Sequence, residues 1–68
     1  MAELEVGTVV QVKNGYGFIA VPDEPDTFFH FSLVEPATWR PAVGDKAEFE
    51  AIEGPRGRRA LRVMKVEG

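Results

Sequence analysis

The chain has no cysteine and a single histidine. Disulfides and thiolate metal sites are therefore excluded, and His30 lacks the imidazole or thiolate companions that a metal centre needs. No stretch approaches the roughly 20 consecutive apolar residues of a membrane span. The opening MAELEVGTVV carries acids where a secretory leader needs positive charge, so a cytoplasmic protein with no membrane partner is expected. Helical periodicity is absent over any ten residues, apart from one short turn allowed within SLVEPATW. Also missing are Walker and Rossmann glycine patterns and any nucleophile–base signature. The chain reads as non-enzymatic, with no cofactor and no small-molecule substrate. Positive charge is in deficit too: 8 Lys and Arg face 11 Asp and Glu, a formal net charge of −3. That balance disfavours an indiscriminate polyanion binder.

What is present is dense punctuation around short, β-prone runs. Gly7, Asn14-Gly15, the VPDEPD of 21–26, Glu35-Pro36, Arg40-Pro41, the VGD of 43–45 and the EGPRG of 53–57 separate segments rich in Val, Phe, Ile and Tyr. Five strands are predicted: Val6–Lys13, Gly15–Val21, Thr27–Phe31, Lys46–Ile52 and Ala60–Val66. Asn14-Gly15 predicts a tight hairpin turn between the first two. Pro22 and Pro25 make the next connection a loop, because proline cannot sit in a central ladder. At 68 residues there is room for one domain, residues 1–68, and such a chain buries only roughly 60% of its unfolded surface. With no helix to cover a sheet face, five short strands bury that face by curling into a five-stranded antiparallel Greek-key barrel, the OB-fold, an all-β class.

Period-2 alternation then divides the aromatics between two faces. Ile19, Val21, Phe29, Phe49 and Val63 are predicted to fill the barrel, with Leu61 on the same side as Val63 and Ala47 and Ala51 beside Phe49. Tyr16, Phe18, Phe28 and His30 are then outside and adjacent, on sequential strands. An exposed ring cluster on so small a domain calls for a ligand. Unpaired bases fit, since each offers a π-face worth about 1–3 kcal/mol when stacked on an aromatic ring. Gly15 and Gly17 beside the rings allow a sharp bend and close backbone approach. Lys13 flanks the rings, and Arg56, Arg58 and Arg59 occupy a glycine-bearing hairpin loop from which at least one could reach phosphate. The total charge does not forbid this, because at physiological salt a ligand feels charges within about 8 Å. An RRM is ruled out: NGYGFI fits much of its RNP1 pattern, but that fold needs two helices behind the sheet.

NGYGFI at 14–19 and FFHF at 28–31, in this order and spacing, resemble the RNP1 and RNP2 motifs of the cold-shock domain, the fold of bacterial cold-shock proteins and Y-box proteins. The GTV of 7–9, FHFS of 29–32, VGDKAEFE of 43–50 and GPRGRRAL of 54–61 extend the likeness over nearly the whole chain. The resemblance implies an OB-type barrel that binds single-stranded RNA or DNA, acting as an RNA chaperone or regulator of gene expression. A monomer is expected, with a dimer formed through the shortened first hairpin as the alternative. It implies stacking by Tyr16, Phe18, Phe28, His30 and Phe31. For Phe31, alternation by itself points the ring inward with Phe29. Trp39 stands near a loop aromatic common in the family, which implies a base contact there; the alternative is a ring that closes the barrel. The chain also departs from the family, whose members typically begin G-x-V-K-W-F-N. Here GTVVQVKNGYGF is shorter, and Val10, Gln11 and Val12 stand where stacking groups are expected. Binding weaker or on a shorter site follows, since each lost ring removes about 1–3 kcal/mol. Two rival readings remain: a barrel of this shape serving as a protein-interaction domain, and an S1-type RNA-binding module.

Overall fold

In a computed structural model, which describes residues 3–66, the chain is all-β. The strands are β1 (Glu3–Val12), β2 (Tyr16–Ala20), β3 (Thr27–His30), β4 (Val34–Glu35), β5 (Lys46–Gly54) and β6 (Gly57–Lys65), with one 3-10 turn at Phe31–Leu33. Hydrogen-bonded neighbours run β3-β2-β1-β5-β6, and a further parallel pairing of β3 with β6 closes the ring. This is the five-stranded Greek-key barrel expected from the sequence. The two-residue β4 is not a stave of its own but a short parallel addition to β6, at Val34↔Val63 and Glu35↔Met64.

Closure removes the unpaired sheet edges that would otherwise invite aggregation. It also concentrates the apolar side chains. Val9, Ile19, Phe29, Phe49 and Val63 are completely buried, and Val34, Trp39, Ala47 and Ala60 complete the core. Four of the five residues assigned to the barrel interior by alternation are thus fully inside, while Val21 is half-buried and packs against the cluster.

Two bulges interrupt the alternation. In the β5–β6 ladder Glu50 pairs with Arg62 and Ala51 with Ala60, leaving Leu61 without a partner. The extra residue re-phases the strand. Ala60 is therefore buried alongside Val63, and Leu61, expected inside, is 42% exposed. In the β1–β2 ladder Val9 pairs with Ile19 and Gln11 with Phe18, so Val10 is the extra residue and is exposed. The long connection to β5 is tied to β1 beside this bulge: the Val9 N–H donates to the Asp45 carbonyl and the Gly44 N–H to the Val9 carbonyl, both at 2.8 Å.

A cross-barrel ion pair anchors the β5–β6 hairpin to β1, with Arg58 bonded to Glu5 and its side chain only 8% exposed. Removing Glu5 leaves a guanidinium in the wall without its counter-charge, and one of its nitrogens, Nη1, already has no partner among the described residues. Glu5→Ala is expected to lower unfolding stability by about 1–3 kcal/mol. The double variant Glu5→Ala/Arg58→Met is expected to recover part of that loss, because the apolar stem still packs and no buried charge remains. Denaturant titration of the three proteins measures both effects. Equal stability of single and double variants would show that the guanidinium is solvated after all.

Candidate nucleic-acid interface

The outward face of β2 and β3 is shaped by the turn that precedes it. Gly15 adopts a positive φ of 91°, a region open to glycine but strained for most side chains, and the Lys13 N–H donates to the Tyr16 carbonyl across the turn at 2.7 Å. The Phe31 N–H then donates to the Gly15 carbonyl, prolonging the β2–β3 ladder to its end. Within that ladder Tyr16 lies opposite His30 and Phe18 opposite Phe28, so all four side chains share one face. Gly17 and Ile19 alternate with them toward the core, and Gly17 sits opposite the buried Phe29.

The three rings form a cluster. Their centroids are 6.1 Å apart for Tyr16–Phe18, 5.5 Å for Tyr16–Phe28 and 5.9 Å for Phe18–Phe28. Tyr16 and Phe28 are 36% and 37% exposed, and Phe18 between them is half-buried. His30 is exposed. Its Nδ1 accepts from the Ser32 N–H at 3.1 Å and lies 2.7 Å from the Ser32 hydroxyl. In the neutral ring this places the proton on Nε2 and orients the imidazole. Lys13 is exposed beside the turn.

The arginines separate into two kinds. Arg62 is bound by Glu35 through both carboxylate oxygens, at 2.8 and 3.0 Å, and lies 4.0 Å from Glu50. The hydrogen bond from Arg62 holds the Glu35 carboxyl below its ordinary value, and the same bond raises the guanidinium. Arg58, assigned to phosphate from the sequence, is instead turned into the barrel wall against Glu5, because residues 58 and 59 point to opposite sides of β6. Arg59 takes the outward position. It is exposed, and its parallel pairing with Phe28 places it on the face of the rings. Arg56 is exposed in the hairpin turn, and neither it nor Arg59 has a carboxylate partner among the described residues.

Trp39 is the second correction. It is 8% exposed and belongs to the core, with its indole N–H directed at the Asp45 carboxylate at 3.4 Å. The Asp45 carboxylate also accepts from the Ala42 N–H at 3.0 Å, and Pro41 is buried, so the loop is folded to deliver the ring inward. Phe31 begins the 3-10 turn rather than ending β3. It is half-buried, with one side taken up by stacking on Phe29 at 5.7 Å and 27°.

One residue of this face was read from the sequence only as a missing stacking group. Gln11 is the register partner of Phe18, exposed, at the end of a row that runs Gln11–Phe18–Phe28–Arg59 across β1, β2, β3 and β6. Simple alternation from the buried Val9 would turn Gln11 inward, but the bulge at Val10 resets the phase of β1 and turns it out.

Residues 5–66 match the family described as the ‘Cold-shock’ DNA-binding domain. The chain belongs to the cold-shock domain family. It is 38% identical over 66 residues to the cold shock protein CspA of Staphylococcus saprophyticus, covering 93% of this chain and 100% of that relative. Over 55 residues it is 44% identical to the major cold shock protein CspA of Bacillus cereus, covering 79% of this chain and 82% of the relative. Among solved structures it is similar to drosophila Unr CSD456, with a TM-score of 0.82 and 29% identity, over 96% of this chain and 27% of that longer one. Cold-shock domains are nucleic-acid-binding domains. In this cold-shock domain the first strand carries Val10 in a bulge, Gln11 beside the rings and Val12 packed on the core.

Proposed function

We propose that this cold-shock domain binds single-stranded RNA or DNA in the cytoplasm, as a monomer, by stacking unpaired bases on Tyr16, Phe18, Phe28 and His30. Held on the rings, those bases are kept out of duplex, which is the action of an RNA chaperone or of a regulator of gene expression. Lys13, Arg56 and Arg59 contact phosphate, and the outer side of Phe31 borders the site beside the Asn14–Gly15 turn. No cofactor takes part. The observation that carries this reading is the ring cluster itself: three aromatic side chains within 5.5–6.1 Å of one another on the outer face of a barrel whose interior is already filled by other residues. Such rings add little to the core and offer a sequence-tolerant surface to bases.

The test is fluorescence anisotropy of end-labelled hexamers of dT and U. Trp39 is a poor reporter of binding, because its ring is inside the barrel and follows unfolding instead. Saturable binding that weakens modestly with salt is expected. The slope is roughly −0.7 per neutralised phosphate, hence no steeper than about −2 for Lys13, Arg56 and Arg59 together. A folded protein with no saturable response at low salt would overturn the proposal and leave the protein-interaction reading ahead.

A further inference from the structure

Stacking alone gives only a modest preference among bases, since every base presents a π-face and only stacking strength differs. Discrimination needs a donor and an acceptor at the edge of the stacked ring. We propose that Gln11 supplies both, hydrogen-bonding the edge of the base that lies on Phe18 and so setting the base preference of this domain. The proposal rests on the stacking reading above and adds to it a residue that reads.

The row Gln11–Phe18–Phe28–Arg59 fixes the geometry. Directly opposed residues of antiparallel strands have Cβ atoms about 4.5–5.5 Å apart and project to the same side. Gln11 and Phe18 are such a pair, and Gln11 is exposed. A nucleobase centred on the phenyl ring of Phe18 is wider than that ring, so its rim overhangs the neighbours. Toward β3 the neighbour is Phe28, and along β2 it is Tyr16, with ring centroids at 5.9 and 6.1 Å. Phe28 presents only carbon, and Tyr16 adds a single hydroxyl at the far end of its ring. Toward β1 the neighbour is a primary amide with two donors and two acceptor lone pairs.

That amide is unengaged. No side-chain hydrogen bond of Gln11 occurs among the described residues. The backbone beneath it packs closely on β2, where a Cβ at Gly17 would come within 2.7 Å of the Gln11 carbonyl. The amide stands next to a stacking ring, with its hydrogen-bonding capacity turned to solvent. His30 offers less, since its Nδ1 is already occupied by Ser32 and only Nε2 remains. The ligand chemistry implied is a heterocycle with donor and acceptor side by side on one edge, as in a nucleobase. At the opposite end of the row Arg59 faces the backbone of the same strand.

The experiment compares the labelled hexamers dA6, dC6 and dT6 on the full chain and on Gln11→Leu, which keeps approximate shape and removes all hydrogen bonding. Wild type is expected to spread the three affinities over about tenfold or more. In Gln11→Leu the spread is expected to collapse to within about threefold, with the preferred hexamer losing most, since one bidentate contact carries the preference. Gln11→Glu, which retains acceptors but loses donors, is expected to change the order of preference. Melting curves of both variants establish that they fold. Phe18→Ala, in contrast, is expected to weaken all three hexamers together. A wild type without preference, or a preference unchanged in Gln11→Leu, would overturn the role of Gln11 while leaving the stacking surface intact. Absence of wild-type binding to any hexamer would instead overturn the stacking reading itself.

Discussion

Phe18→Ala and Phe28→Ala are each expected to weaken hexamer binding roughly ten- to a hundredfold while lowering the melting temperature by only a few degrees, the range that follows from about 1–3 kcal/mol per stacked base. The two readouts diverge because the rings and the core occupy opposite faces of the same strands. Phe28 is 37% exposed, whereas Phe29, its neighbour in the chain, is completely buried. Truncating Phe28 removes surface from solvent and from two ring contacts, with no cavity inside the barrel. Phe18 is half-buried between Tyr16 and Phe28, so its removal should reduce stability somewhat more. Phe29→Ala is the informative contrast, with an expected loss of about 3–5 kcal/mol that a domain of this size would scarcely survive. Anisotropy and thermal melting on the same samples separate the effects. Variants at Phe18 and Phe28 that unfold as readily as Phe29→Ala would mean the rings hold the barrel together, and the case for a ligand surface would fall.

The division between inward and outward rings was legible in the sequence because β2 and β3 are short and regular. Over Tyr16–Ala20 and Thr27–His30 no bulge intervenes, and alternation by itself placed Phe18 and Phe28 outside and Ile19 and Phe29 inside. Closure into a barrel was legible for a different reason: nothing else in the chain could cover a sheet face. What alternation could not reveal was phase across a bulge. One extra residue moves every later side chain to the other face. The bulge at Leu61 exchanged Ala60 for Leu61 in the interior, and the bulge at Val10 placed Gln11 beside Phe18. Arg58 and Arg59 show a related limit. Composition gave a basic hairpin, but which arginine faced the rings depended on the pairing of Phe28 with Arg59, a contact between strands far apart in the chain. Glu5, the partner that captures Arg58, is likewise distant in sequence. Trp39 lies in an irregular loop, where no period exists to assign a face. The Asp45 carboxylate that receives its indole N–H at 3.4 Å accompanies its inward course.

Gly17→Ala, on the core side of the ring-bearing strand, is expected to be the most damaging of the conservative substitutions in β2. The position has ordinary strand geometry, so the obstacle is space and not backbone angle. An added methyl would lie 2.7 Å from the Gln11 carbonyl oxygen and 2.9 and 3.0 Å from Cε1 and Cζ of Phe29. Neither neighbour can retreat. The Gln11 carbonyl belongs to the β1–β2 ladder, where Val12 pairs with Gly17, and Phe29 is completely enclosed. Overpacking of this kind typically lowers stability by about 1–3 kcal/mol, and each kilocalorie moves the melting temperature of so small a domain by roughly 4–8 °C. Gly15→Ala provides the opposite case. Nothing lies within 4 Å of a Cβ there, but φ is +91°, so only backbone strain is incurred and Gly15→Asn should recover part of the loss. Binding adds a second readout. Gly17 separates Tyr16 from Phe18, and a displaced β1–β2 ladder would change both the spacing of those rings and the approach of Gln11. At a temperature where Gly17→Ala remains folded, its hexamer affinity should therefore fall even though no ring has been altered. If the variant melted like wild type and bound as tightly, the close contact of β1 with Phe29 through Gly17 would not be what holds the rings in place.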